Sequence, residues 1–128
     1  MSYSFSKEVD LPYEQAIEKV TQELQKEGFG ILTEIDVKAT LKKKLDVDYN
    51  KYVILGACNP PLAHKALSAE PNIGLLLPCN VVVYESGRDR SVIAAIDARA
   101  MMSVVQRDDI LPVAEEVNRK LQKVIESV

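Results

Sequence analysis

The sequence predicts a single α+β domain in which a mainly antiparallel sheet carries its helices on one face. Three observations support this prediction. Five short stretches have the alternating or uniformly apolar pattern of β-strands, and two longer stretches have apolar residues at helical spacing. The chain has 128 residues, 47% of them hydrophobic, which is enough for one core and too few for two. We therefore treat residues 1–128 as one domain, with the long helices packed together on the sheet.

The first half of the chain predicts a strand, a helix and a second strand. Polar and apolar residues alternate from Tyr3 to Val9, as in a strand. Pro12 suits the first turn of a helix and Gly28 suits its end. The chain alternates again from residue 29 to residue 37, which predicts the second strand. Its core face is expected to comprise Ile31, Thr33, Ile35 and Val37.

A short helix is predicted from Lys38 to Leu45. Three consecutive lysines, Lys42 to Lys44, lie near its C-terminal end, where the helix dipole favours positive charge. No aromatic residues interleave with these lysines, so we interpret them as a solvated helix end rather than a nucleic-acid patch.

The second half begins with an uninterrupted apolar run from Tyr52 to Cys58, which predicts a central strand covered on both faces. Asn59 is a good N-cap and Pro60 suits the first helical position, so a helix should begin there and end before Pro71. We expect extended chain from residue 73 to residue 77, where Pro78 interrupts it.

The rest of the chain predicts a hairpin and a closing helix. A strand over residues 81–84 runs into the turn-like tetrad Ser86 to Asp89, and residues 91–96 complete the hairpin. Apolar residues recur at helical spacing from Ile110 onward, which predicts a long amphipathic helix.

Charge and composition argue against several classes of protein. The net charge is -3, so general attraction to nucleic acid or to an acidic membrane is not expected. No stretch is long and apolar enough for a membrane helix, and the N-terminus lacks the pattern of a secretory signal. We expect a cytoplasmic protein in which Cys58 and Cys79 remain thiols.

The candidate site consists of two Cys-Asn pairs and one histidine. Cys58-Asn59 and Cys79-Asn80 each lie at the edge of an apolar run with proline nearby. Cys58 precedes a predicted helix N-terminus, where free N–H groups and the helix dipole stabilise a thiolate. His64, the only histidine, lies in the same helix, and the sequence does not decide whether it faces Cys58.

Three hypotheses follow for these residues. In the first, the cysteines are small buried hydrophobic residues and His64 is an ordinary surface residue. In the second, Cys58, Cys79 and His64 bind a soft metal ion or a sulfur-containing ligand, and the protein is a binding module. In the third, Cys58 attacks and Cys79 resolves, which makes the protein a thiol-based enzyme or redox sensor. No nucleotide-binding, metalloprotease or serine-hydrolase motif is present, so the sequence gives no support to those enzyme classes. It does not decide between an enzyme and a protein without catalytic activity.

Four further residues allow a functional and a structural interpretation. Asp97 and Arg99 could hold an anion or a partner, although an Asp/Arg pair that closes a loop is the simpler interpretation. Met101 and Met102 could be soft metal ligands, but methionine more often fills gaps in a core.

The helix-free face of the predicted sheet also matters. An exposed apolar face favours self-association, and a symmetric homodimer is its commonest form. A homodimer, or a dimeric scaffold that contacts another protein, is therefore an alternative to the binding module and to the thiol-based enzyme or sensor.

Three segments of the chain together resemble a known family. They are Gly28 to Val37, Ile54 to His64 and Leu75 to Tyr84. In this order they resemble the bacterial and archaeal family called domain of unknown function 302, over nearly the whole chain. Asp97 and the Met101-Met102 pair also match the family's Ile-Asp-x-x-x-Met segment.

The resemblance implies a β-α-β(4)-α fold, similar in outline to the TATA-box-binding-protein-like arrangement, and members that associate as dimers. It implies no activity, because the family has none established and a shared fold does not transfer function. The outline of a DNA-binding fold counts for little beside a net charge of -3 and 5% aromatic residues.

Overall fold

Five strands and five α-helices lie in residues 2–128, the part of the chain that the computed structural model describes. The strands are β1 (Ser4–Val9), β2 (Gly30–Asp36), β3 (Tyr52–Cys58), β4 (Cys79–Gly87) and β5 (Arg90–Ile96). The helices are α1 (Tyr13–Lys26), α2 (Val37–Leu45), α3 (Pro60–Ala69), α4 (Ala98–Met102) and α5 (Leu111–Ser127). Two 3₁₀ helices, Pro71–Leu76 and Ser103–Val105, follow α3 and α4.

The strands form one sheet in the order β1-β5-β4-β3-β2, and every neighbouring pair is antiparallel. The first two strands of the chain therefore lie at opposite edges of the sheet. The register of β3 and β4 pairs Ala57 with Cys79 and Tyr52 with Tyr84. This register brings the end of β3 beside the start of β4, where both cysteines lie.

Helices α1 and α5 pack against each other and against one face of the sheet, which we call the inner face. Strand β5 shows the alternation that this packing requires, because Ile93 and Ala95 are buried and Val92 and Ala94 are partly exposed. The largest fully buried apolar side chains include Val20, Leu24, Leu55, Val83, Ile93 and Leu121. Each contributes about 1.5–3 kcal/mol to the free energy of unfolding through its burial.

The predicted fold class is confirmed. The chain is an α+β domain with one antiparallel sheet, and its long helices lie together on one face in the β-α-β(4)-α order, with short helices inserted. One part of the prediction for β3 is wrong. Its inner residues are buried, whereas Tyr52 and Ile54, which point to the other, outer face, are only half-buried.

Strand β2 departs from the single core face that its sequence predicts. Ile31 pairs with Ala57 on the inner face, but the register shifts between Ile31 and Thr33. After the shift Thr33 pairs with Gly56 and Ile35 with Ile54, on the outer face. A bulge inserts one residue, here Leu32, and reverses the faces of all residues beyond it.

The extended chain predicted for residues 73–77 is not found, because the segment before β4 is helical. Pro71 begins a 3₁₀ helix, and the Glu70 carboxylate accepts a hydrogen bond from the Asn72 N–H at 3.1 Å. Ile73 in this helix is buried, whereas Leu75 is exposed. The chain then enters β4 through the cis Leu77–Pro78 peptide bond.

The triple lysine lies at an exposed end of α2, as predicted. Lys42 forms ion pairs with Asp46 at 2.9 Å and Asp48 at 3.4 Å, so its charge is partly neutralised by neighbouring carboxylates. Within residues 2–128 the helices all fall short of the length and hydropathy that a membrane-spanning segment needs.

Candidate functional site

A cavity of about 300 Å³ lies where the end of β3 and the start of β4 meet α3, α4 and α5. Its walls are almost entirely apolar. They include Ala57, Leu62, Ala66, Met102, Val113 and Val117. A concave, mostly apolar space of this size with a few polar atoms is the usual form of a small-molecule site.

Both cysteines line this cavity as free thiols. Cys58 is the last residue of β3 and is half-buried, whereas Cys79 is the first residue of β4 and is buried. Because Cys79 pairs with Ala57, the two cysteines are one residue out of direct cross-strand register. A directly paired position, which a cross-strand disulfide would use, is therefore not shared by the two cysteines.

The environment of Cys79 favours the protonated thiol. Burial raises the pKa of Cys79 to about 11, and the neighbouring Cys58 adds to the increase. At neutral pH this thiol is therefore an uncharged part of the cavity wall. Thiolates are the nucleophiles and metal ligands among cysteine species, so Cys79 is poorly suited to either role as it stands.

Asn59 caps α3, as the sequence predicts. Its side-chain oxygen accepts a hydrogen bond from the Leu62 N–H at 3.4 Å, and its amide nitrogen donates to the Glu27 carbonyl at 3.2 Å. The close approach depends on Gly28, where a Cβ would lie 3.1 Å from the Asn59 Nδ2 atom and φ is +85°. The buried amide thus joins the start of α3 to the end of α1, and both its polar atoms are used.

His64 and Asn80 lie apart from this group. His64 is exposed on α3 and does not line the cavity, and Asn80 is exposed on the outer face of the sheet. Across the described part of the chain, no three His, Cys, Asp or Glu side chains come together as a metal site would require. The structure therefore brings together Cys58, Asn59 and Cys79, and it does not form the three-ligand set of Cys58, Cys79 and His64.

Asp97 caps α4, a role that its sequence context does not indicate. Its carboxylate accepts hydrogen bonds from the Ala100 N–H at 3.1 Å and from the Asn118 amide at 2.7 Å. Burial by itself raises the pKa of Asp97, but the hydrogen bonds from Asn118 and from the α4 backbone outweigh it and lower the pKa below its usual value. The expected loop-closing pair with Arg99 is replaced by the bond to Asn118 on α5, and Arg99 is exposed.

The two methionines lie in the core region. Met102 is buried and lines the cavity, and Met101 packs against the core from a half-buried position. This supports the interpretation of both as gap-filling residues.

Most of the cavity lining was not identified from the sequence, and two of the missed residues are exposed leucines. Leu32, in the bulge of β2, and Leu67, on α3, line the cavity although 66% and 40% of their surfaces are exposed. One feature of the sequence indicated Leu32. It is an apolar residue that alternates in phase with Glu34 and Asp36, on the face of β2 that was expected to face solvent.

Comparisons with known proteins support the fold. A family model described as "Domain of unknown function DUF302" matches residues 5–128. A crystal structure of an uncharacterized conserved protein DUF302 from Bacillus stearothermophilus superposes with a TM-score of 0.91 at 24% sequence identity. The superposition covers 99% of this chain and 98% of that chain. No curated protein matches the sequence.

Proposed function

Because the chain belongs to the DUF302 family, which is defined by a domain of unknown function, we propose a function from the cavity itself: the protein is a binding module. It takes a small, largely apolar or sulfur-containing ligand beside Cys58 and Cys79. The apolar cavity of about 300 Å³ with two free thiols in its wall is the observation that carries this proposal.

The chemistry of the walls favours such a ligand. Apolar groups leave water on entering the cavity, and each buried CH₂ contributes about 0.8 kcal/mol. Thiol and thioether sulfur atoms are polarizable and pack well against apolar surfaces, so Cys58 and Cys79 suit a ligand that carries sulfur. A soft metal ion is less well supported, because His64 lies outside the cavity and Cys79 is held protonated.

A thiol-based enzyme or redox sensor is also less well supported. Such a mechanism needs an attacking thiolate and a resolving thiol that can reach each other. Burial raises the pKa of Cys79, and the two cysteines are one residue out of direct cross-strand register. Binding without a covalent step requires neither condition.

The test uses methyl phenyl sulfide as an apolar, sulfur-containing probe. We expect titration of the ¹⁵N-labelled protein to shift amide signals of the cavity residues saturably, and Cys58→Ala and Cys79→Ala each to weaken binding several-fold. Ser103→Ala, which removes a surface hydroxyl, is the control and should bind as the unchanged protein does. If the probe causes no saturable shift at millimolar concentration, the proposed binding function is wrong.

A second proposal concerns the outer face of the sheet. Tyr52 and Tyr84 stack there with ring centroids 5.3 Å apart, and Ile54, Val82 and Ala94 are partly exposed beside them. We infer that a second copy of the chain covers this face in a symmetric homodimer, since the tyrosines and aliphatic side chains at its centre form an exposed apolar patch. Two free thiols favour a reducing compartment, and the cytoplasm therefore remains the predicted location.

A further inference from the structure

We propose that the ligand of the cavity is an uncharged hydrophobic molecule, about the size of a fused two-ring aromatic or an eight-carbon chain, that enters past Leu32. This proposal rests on the binding function above and specifies its ligand class and its route of access. Three features of the cavity support it: its lack of charge, its volume and the exposure of its mouth.

The cavity offers no partner for a charged group. No Asp, Glu, Lys, Arg or His side chain lines it, and Asn59 uses its oxygen on Leu62 and its nitrogen on Glu27. A carboxylate or phosphate placed there would lose its hydration without gaining a counter-charge, at a cost of several kcal/mol. The same argument excludes ammonium groups.

The volume sets the size of the ligand. A dry apolar cavity of about 150 Å³ accommodates benzene. The space beside Cys58 and Cys79 is about 300 Å³. Twice the volume fits two fused rings or a chain of about eight carbons, and a four-ring system would not fit without rearrangement of the walls.

The mouth of the cavity is marked by apolar side chains that face water. Leu32 is 66% exposed and Leu67 is 40% exposed, whereas the lining residues Leu62, Ala66 and Met102 are buried. Leu32 is the extra residue of the β2 bulge, and bulges commonly redirect a side chain beside a functional site. A hydrophobic ligand that enters here covers both leucines and thereby removes apolar surface from water.

The charge requirement is tested with 1-octanol and octanoate, which have the same chain length and differ in charge at pH 7. We expect 1-octanol to shift the cavity amide signals with at least tenfold higher affinity than octanoate. Indole should bind at least tenfold more tightly than benzene, because it fills more of the space, and pyrene should not bind.

Two pairs of variants locate the site. Ala66→Leu adds three carbons inside the cavity and should weaken 1-octanol binding at least tenfold, whereas Ala39→Leu on exposed α2 should leave it within twofold. Leu32→Asp places a charge at the mouth and should weaken binding at least tenfold. Leu75→Asp is the matched control, since Leu75 is 86% exposed and does not line the cavity.

The outcomes separate this proposal from the one on which it rests. Octanoate binding as tight as that of 1-octanol would overturn the uncharged ligand class while the binding function stands. Equal effects of Leu32→Asp and Leu75→Asp would overturn the route past Leu32. If none of the probes (1-octanol, octanoate, indole, benzene and methyl phenyl sulfide) shifts the amide signals of the cavity residues, both proposals are wrong.

Discussion

At neutral pH the Cys79 thiol stays protonated, because burial raises its pKa to about 11. Cys58, one residue out of register with it, is half-buried at the end of β3. The two cysteines share a cavity wall and the same following residue, yet they differ in access to water. Their reactivities should therefore differ although their sequences look alike.

We expect a disulfide reagent at pH 8 to label Cys58 in the folded protein and to label Cys79 only after unfolding. Exposure and thiolate character both govern this reaction. The absorbance of the thiol that the reagent releases measures the labelling rates of the two cysteines. Cys58→Ala should abolish the fast phase, and Cys79→Ala should retain it; equal rates for both cysteines in the folded state would contradict the prediction.

Asp97 links the pH dependence of stability to the start of α4. Its pKa in the folded protein lies below the value of about 3.9 expected in the unfolded chain, so the folded state binds fewer protons in this range. The stabilisation is therefore present above about pH 4 and is lost as the pH falls through the folded pKa. Replacement of such a capping carboxylate by alanine costs about 0.5–2 kcal/mol.

For Asp97→Ala we expect a lower urea midpoint at pH 7 and a smaller difference from the unchanged protein below pH 4. Urea unfolding at a series of pH values measures both effects. Asp108→Ala, at an exposed position, is the control and should show neither effect. A difference that stays constant down to pH 2.5 would show that the Asp97 charge does not contribute.

The helix α3 begins where the first Cys-Asn pair ends, and the strand β4 begins with the second. Asn59 is buried and bonded on both sides, whereas Asn80 is exposed on the outer face. The two Cys-Asn pairs thus have different structural roles, because the first precedes a helix and the second begins a strand.

We expect Asn59→Ala to destabilise the protein by about 1–2 kcal/mol, since it removes a helix cap and leaves the Glu27 carbonyl without its partner. Asn80→Ala is the matched control and should change the free energy of unfolding by less than about 0.5 kcal/mol. Chemical denaturation of both variants gives the comparison. Equal destabilisation would mean that the cap on α3 contributes little.

Elements with local signals could be predicted from the sequence, and those that depend on a neighbouring strand could not. The start of α3 follows from Asn59 and Pro60, which act within one turn of the helix. The bulge in β2 depends on Gly56 across the sheet, where a side chain would collide with Thr33 and approach Pro78 to 2.8 Å. Such a cross-strand contact leaves no periodic pattern in β2 itself.

At the scale of the molecule, one face of the sheet is covered by helices and the other carries stacked tyrosines. For the homodimer proposed above, we expect light scattering after gel filtration to give twice the chain mass at about 10 µM. Val82→Lys, in the middle of the outer face, should raise the dissociation constant of the dimer at least tenfold, because it buries an unpaired charge.

Ala39→Lys adds the same charge on exposed α2 and should leave the dimer intact. A single-chain mass for the unchanged protein at this concentration would show that no second copy covers the outer face.

The candidate site could be predicted only in part. Cys58, Asn59 and Cys79 were nominated from the sequence, and the cavity was not, because its walls come from elements that are far apart along the chain. His64 is a candidate from the sequence because it lies in the helix that follows Cys58, and the sequence does not decide whether its side chain faces Cys58. In the structure His64 is exposed to solvent. Long-range convergence of this kind is determined by packing of the whole sheet and its helices.

The position of β1 beside β5 also bears on how the protein is made. The first strand of the chain pairs with the last, so it has no partner until most of the chain has left the ribosome. Synthesis proceeds at about 5–20 residues per second, and during that interval the apolar side of β1 stays open to chaperones and to aggregation. This one pairing of distant strands slows folding relative to a helical bundle, so we expect refolding in milliseconds to seconds rather than microseconds.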